Sequence, residues 1–158
     1  MVLAILLSYE KIIILALVER GVIMNLEEKN IDKIKDFLID KLAPDLIFIF
    51  GSASTGNFRE DSDLDIAFLA DTEIDPYQVY QIAQELASLF GRDVDLVNLK
   101  EASTVFKAQI VGKGEVIFAQ NKNLEAEFKM RTLKEYALLN EERAPILDRI
   151  KKEGDIYG

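Results

Sequence analysis

Five consecutive apolar residues, Leu46-Ile47-Phe48-Ile49-Phe50, stop at once on Gly51-Ser52. A run this short, entered through Ala43-Pro44-Asp45 and closed by glycine, reads as a buried strand rather than a helix. The segments around it alternate in period. Leu26, Ile31, Ile34, Phe37, Leu38 and Leu42 fall at helical spacing before it. After a loop rich in Gly, Ser, Thr and Asn, residues 63–69 read as a second strand. Asp75-Pro76 opens a helix reaching about Phe90, with Val79, Ile82, Ala83, Leu86 and Leu89 on one face, and Gly91 stops it. Residues 93–99 form a third strand, and Ser103 to about Val111 a helix. Gly112-Lys113-Gly114 reads as a turn and residues 115–119 as a short strand. A charged amphipathic helix runs from Leu124 to about Lys152 with a bend at Pro145. The order predicts a single α/β (α+β) domain with a small mixed sheet flanked by helices.

The length of 158 residues fits one domain, and an apolar share of 49% is enough to build its core. Three regions are expected: an apolar N-terminal stretch over 1–23, a core over 24–120 and a helical tail over 121–158. In the first, the apolar runs Val2 to Leu7 and Ile12 to Val18 are split by Ser8-Tyr9-Glu10-Lys11. A spanning helix needs about 20 apolar residues, so membrane insertion is not expected. A helix packed on the domain or a partner is one reading, an extension upstream of a domain starting at Met24 is the second, and contact with a membrane is the third. The second has a motive in Asn25-Leu26-Glu27-Glu28, a helix start resembling a capping box. In the tail, Leu133, Tyr136, Leu139, Leu147 and Ile150 read first as packing on the domain's own sheet, with docking of a partner as the other reading.

Composition narrows the chemistry. The chain has no histidine, which excludes imidazole bases, Ser-His-Asp triads and His-ligated zinc. It has no cysteine, so disulfides and thiolate metal sites are excluded too. Any metal must be held by oxygen, which favours magnesium, manganese or calcium. A formal net charge of -9 disfavours direct nucleic-acid binding, since phosphate contacts need Lys and Arg.

The informative stretch begins at Gly51-Ser52 and ends at Asp63-Leu64-Asp65. A loop this long inside a compact domain is usually functional. Glycine lets the backbone approach a ligand closely. If a short helix starts at Ser52, its free amides and hydroxyl suit phosphate oxygens. Asp63 and Asp65 stand two apart at a strand start, so both share one face while Leu64, Ile66 and Phe68 point into the core. Adjacent carboxylates repel, and a divalent cation relieves that repulsion. The bland reading is a solvated acidic strand end in the company of Glu60 and Asp61. Asp95, in Asp93-Val94-Asp95-Leu96-Val97, is a third acid in an apolar strand, a costly place for an unpaired charge. Asp93 shares its parity but falls at the strand edge, so Asp95 is preferred.

Gly-Ser, ten residues, Asp-x-Asp and a later strand Asp together resemble the DNA polymerase β-like nucleotidyltransferase superfamily. Within it, the chain looks like the MNT-type minimal nucleotidyltransferases, antitoxins of HEPN/MNT toxin-antitoxin pairs. The resemblance covers roughly Leu26 to Gln120. It implies that Gly51 and Ser52 hold nucleotide phosphate, and that Asp63, Asp65 and Asp95 are catalytic and ligate Mg2+, two ions in all. Asp95 is also a candidate base. It further implies a cytoplasmic enzyme moving AMP from ATP to a tyrosine hydroxyl of a HEPN-domain toxin. Many relatives carry a basic residue before the next glycine; here Ala53-Ser54-Thr55 precede Gly56, and Arg59 is the nearest charge in the loop. Three alternatives stand beside this reading: an idle antitoxin that only binds its toxin, a nucleotidyltransferase for a small molecule such as an aminoglycoside, and a plain cation-binding domain.

Overall fold

In the computed structural model, residues 28–55, 59 and 61–154 are described. The expectations for residues 1–23 and for the helix start at Asn25 to Glu27 lie outside them. The elements run α1 (Glu28–Leu42), β1 (Leu46–Phe50), α2 (Ser52–Thr55), β2 (Leu64–Leu69), α3 (Pro76–Phe90), β3 (Val94–Asn98), α4 (Thr104–Lys113), β4 (Glu115–Ala119) and α5 (Lys122–Gly154). The four strands form one sheet in the order β3-β2-β1-β4. β1 pairs antiparallel with both β2 and β4, and β2 pairs parallel with β3, so the sheet is mixed as expected.

Strand periodicity divides the core between the two faces. Ile47, Ile49, Leu64, Ile66, Phe68 and Leu96 pack with Ile34 and Leu38 of α1 and Ile82, Ala83 and Leu86 of α3. On the opposite face Leu46, Phe48 and Ala67 pack with Ile110 of α4, Leu99 and the half-buried Phe106 and Phe128. The Phe50 and Phe106 rings meet edge to face at 5.6 Å, a favoured aromatic geometry. With both faces covered, β1 is apolar without alternation, as its sequence required.

The caps of α3 follow their sequence signals. The Asp75 carboxylate accepts from the Tyr77 amide at 2.8 Å, Pro76 opens the helix, and Gly91 closes it in the left-handed region at φ 64°. Two expectations change. First, α4 continues through Gly112 and Lys113 instead of turning there, because the Gly114 amide donates to Ile110 O at 2.7 Å and prolongs the helical bonding. Gly114 passes so close that a Cβ would stand 2.6 Å from that carbonyl. Second, α5 outruns the sheet. A helix of 33 residues is about 50 Å long, against about 17 Å for a five-residue strand. Phe128 reaches Phe48 and Thr132 is buried, and Tyr136 and Leu139 are half-buried. Leu133, Leu147 and Ile150 are 51%, 54% and 59% exposed, so packing on the domain's own sheet fails for them.

Substituting the fully buried Leu86 with alanine is expected to cost about 2–5 kcal/mol, whereas Ile150→Ser should stay within about 0.5 kcal/mol. Urea melts followed by circular dichroism check the contrast, and equal losses would contradict this division of the core.

Candidate active site

β1 ends in a turn that only glycine accommodates. Gly51 has φ +67°, a conformation that L side chains rarely adopt. Its carbonyl accepts from both the amide of Ser54 (3.2 Å) and its hydroxyl (3.0 Å), closing the single turn of α2 that starts at Ser52. A second constraint comes from across the sheet. Phe50 pairs with Asp65, so the Asp65 carboxylate lies directly over Gly51. A Cβ at 51 would collide with Asp65 Oδ2 and lie 3.1 Å from its Cγ.

Asp65 in turn pairs with Asp95 across the parallel β2–β3 ladder. Asp63 precedes β2 by one residue and shares the parity of Asp65, whereas Leu64, Ile66 and Phe68 are fully buried on the other side. The turn and the three acids therefore gather at one end of the sheet, on the face covered by α4 and α5. Burial pushes the Asp65 carboxyl above its usual value of 3.8, and the charges of Asp95 and then Asp63 push it further. Asp95 itself is exposed, contrary to the expectation of a charge within an apolar strand, because β3 is an edge strand. The burial cost falls on Asp65 in the interior strand. Asp93 stands outside β3, exposed, and its backbone carbonyl accepts from the Leu64 amide at 2.8 Å.

The donor set fits a hard divalent cation: three carboxylates, one of them half-buried and destabilised as an anion by its neighbours. Among the described residues no three acids close into a ready cage. Asp63 and Asp95 are exposed, so this end of the sheet is open to solvent. The Arg59 side chain is exposed, and it is the backbone of this residue that is held in place. Sequence reasoning passed over Arg92, whose guanidinium donates to the carbonyls of Arg59 and Ser62. The available signal was its position just after the helix stop at Gly91.

The family model "Polymerase beta, Nucleotidyltransferase" matches residues 32–123, and the chain belongs to that family. It is 37% identical over 126 residues to the protein adenylyltransferase MntA of Shewanella oneidensis, covering 79% of this chain and 90% of that protein. A chain in a crystal structure of a toxin-antitoxin with AMP-PNP superposes with a TM-score of 0.70 at 38% identity, covering 77% of this chain and 98% of the other. A chain from the tri-AMPylated Shewanella oneidensis HEPN toxin in complex with MNT antitoxin gives 0.68 at 35% identity, covering 78% and 98%.

The electrostatics of Asp65 predict an inverse relation between activity and stability. A carboxyl held above 3.8 in the folded state contributes most favourably below that pH, and the contribution is lost as pH rises through the raised value. At pH 7 in EDTA, Asp65→Asn is therefore expected to melt higher than the unsubstituted protein, with the gap narrowing towards pH 4. Adding Mn2+ should raise the melting temperature of the unsubstituted protein alone. An Asn variant that melts lower in EDTA at pH 7 would contradict this account.

Proposed function

We propose that this chain is a magnesium-dependent protein adenylyltransferase that moves AMP from ATP to a tyrosine hydroxyl of a partner HEPN toxin, acting as its antitoxin. The observation that carries the reading is the register joining the Gly51 turn, Asp65 and Asp95 in one site. Its likeness to the MntA adenylyltransferase, and to chains from complexes holding AMP-PNP or an AMPylated toxin, supports the choice of nucleotide and partner.

In this reading Gly51 and Ser52 hold phosphate oxygens through the α2 turn, and Asp63, Asp65 and Asp95 hold two magnesium ions. When bound, these ions offset phosphate charge and lower the pKa of the acceptor hydroxyl. The tyrosine oxygen attacks the α-phosphorus in line, the bond to the β-phosphate bridging oxygen breaks, and pyrophosphate leaves. The hydroxyl proton passes to Asp95 or to water. A chain without histidine needs no other titratable group for this. Exposed Ile146, Leu147 and Ile150 on the outer part of α5 support docking of the partner there. A reaction that consumes ATP suits the cytoplasm. Among the described residues no helix is long and apolar enough to cross a membrane.

The test mixes the purified protein with Mg2+, ATP and the toxin encoded beside it, and weighs both proteins intact. One or more AMP units on the toxin are expected, with none after Asp63→Asn and no loss of circular dichroism in that variant. Tight complex formation without any mass gain would replace this reading with that of a binding-only antitoxin.

A further inference from the structure

Asp63 is exposed and precedes its strand, so its own ladder does not hold it. Its two neighbours are held, and by consecutive residues of one segment. On one side, Arg92 Nη1 donates to Arg59 O and to Ser62 O, each at 3.3 Å. The turn so gripped is closed from within: the Ser62 amide donates to Arg59 O at 3.1 Å, and the Arg59 amide donates to Ser62 Oγ at 2.9 Å. On the other side, the Leu64 amide donates to Asp93 O at 2.8 Å. Two residues further along the same segment stands Asp95.

The direction of Arg92 is itself built in. Gly91 at φ 64°, ψ 30° ends α3, and the amides of Gly91 and Arg92 both return to Ala87 O, at 2.9 and 3.3 Å. This glycine-based helix end turns the chain back along β2, leaving Arg92 half-buried beside the loop. Each contact to a carbonyl is long and contributes modestly on its own. Their value is geometric, since one guanidinium nitrogen, Nη1, meets both carbonyls and so ties the two ends of the turn to the segment that leads into β3.

We propose that Arg92 is a positioning residue for the nucleotidyl transfer: by clamping the Arg59–Ser62 turn it fixes Asp63 relative to Asp65 and Asp95. Arg92 acts through the backbone of this loop. This inference rests on the transfer reaction proposed above. Misplacement of a catalytic group by about 1 Å costs on the order of a hundredfold in rate, so a small release of the turn is enough to be measured.

The experiment compares the full chain with Arg92→Gln and Arg92→Lys in toxin labelling at varied ATP and varied toxin, in Mn2+ titration calorimetry with AMP-PNP present, and in thermal melts. For Arg92→Gln, kcat is expected to fall about tenfold to a hundredfold, and the Mn2+ dissociation constant to rise about tenfold. The KM for toxin should stay unchanged and the melting temperature should shift by only a few degrees. Arg92→Lys should fall between the two. Unchanged kcat and Mn2+ affinity in Arg92→Gln would overturn the proposal. So would a collapse of the melting temperature in both variants that accounts for the whole loss of rate. If the unsubstituted protein labels no toxin, the transfer reading fails, and the Mn2+ comparison still decides the role of Arg92.

Discussion

Where β1 ends, its backbone must pass beneath a carboxylate. The antiparallel register sets Phe50 against Asp65, which leaves Gly51 in the space where a side chain would meet Oδ2. The same residue must hold a positive φ so that α2 can start at Ser52. One position thus satisfies two unrelated demands, a turn and a close approach, and no other residue type meets both at low cost. The rest of the site follows from this contact. Asp65 is placed by β1, and the parallel pairing of β2 with β3 then places Asp95 beside it.

Gathering acids costs stability, and burial adds to that cost at Asp65. Asp65, in an interior strand, is the carboxyl held above its ordinary value. Asp63 and Asp95 remain exposed, on a loop and an edge strand. Such an arrangement is poor for a metal-free protein and suited to one that meets a cation together with a polyphosphate. In the proposed function, bound ions would supply the positive charge that a chain of net charge -9 lacks towards an anionic nucleotide.

The sheet is a rigid support for these groups because both faces are sealed by helices, α1 and α3 on one side and α4 and α5 on the other. What is left outside that packing is the outer part of α5, a continuation of a helix whose first turns belong to the core. The division between the part of α5 that packs on the sheet and the part that stays exposed is a matter of length. The sheet ends well before the helix does.

Much of this was legible in the residues alone. The bounds of β1, β4 and α3 followed from local signals: an unbroken apolar run, a Gly-flanked run, and the Asp75-Pro76 and Gly91 caps. The Gly-Ser turn and the Asp-x-Asp pair were visible because phosphate and cation chemistry restrict residue type and spacing. Period two assigned Leu64, Ile66 and Phe68 to the core. Local sequence could not give the strand register, which depends on how distant faces pack. That register is what makes Gly51 indispensable to Asp65 and brings Asp95 within its field. Tertiary structure also decided that Asp95 is exposed on an edge, that Leu147 and Ile150 stay exposed beyond the sheet, and that Arg92 reaches a loop 30 and 33 residues earlier in the chain. Propensity and periodicity act over a few residues and name the chemistry. Which groups meet is set by contacts across the sheet, and those exist only once the whole core has formed.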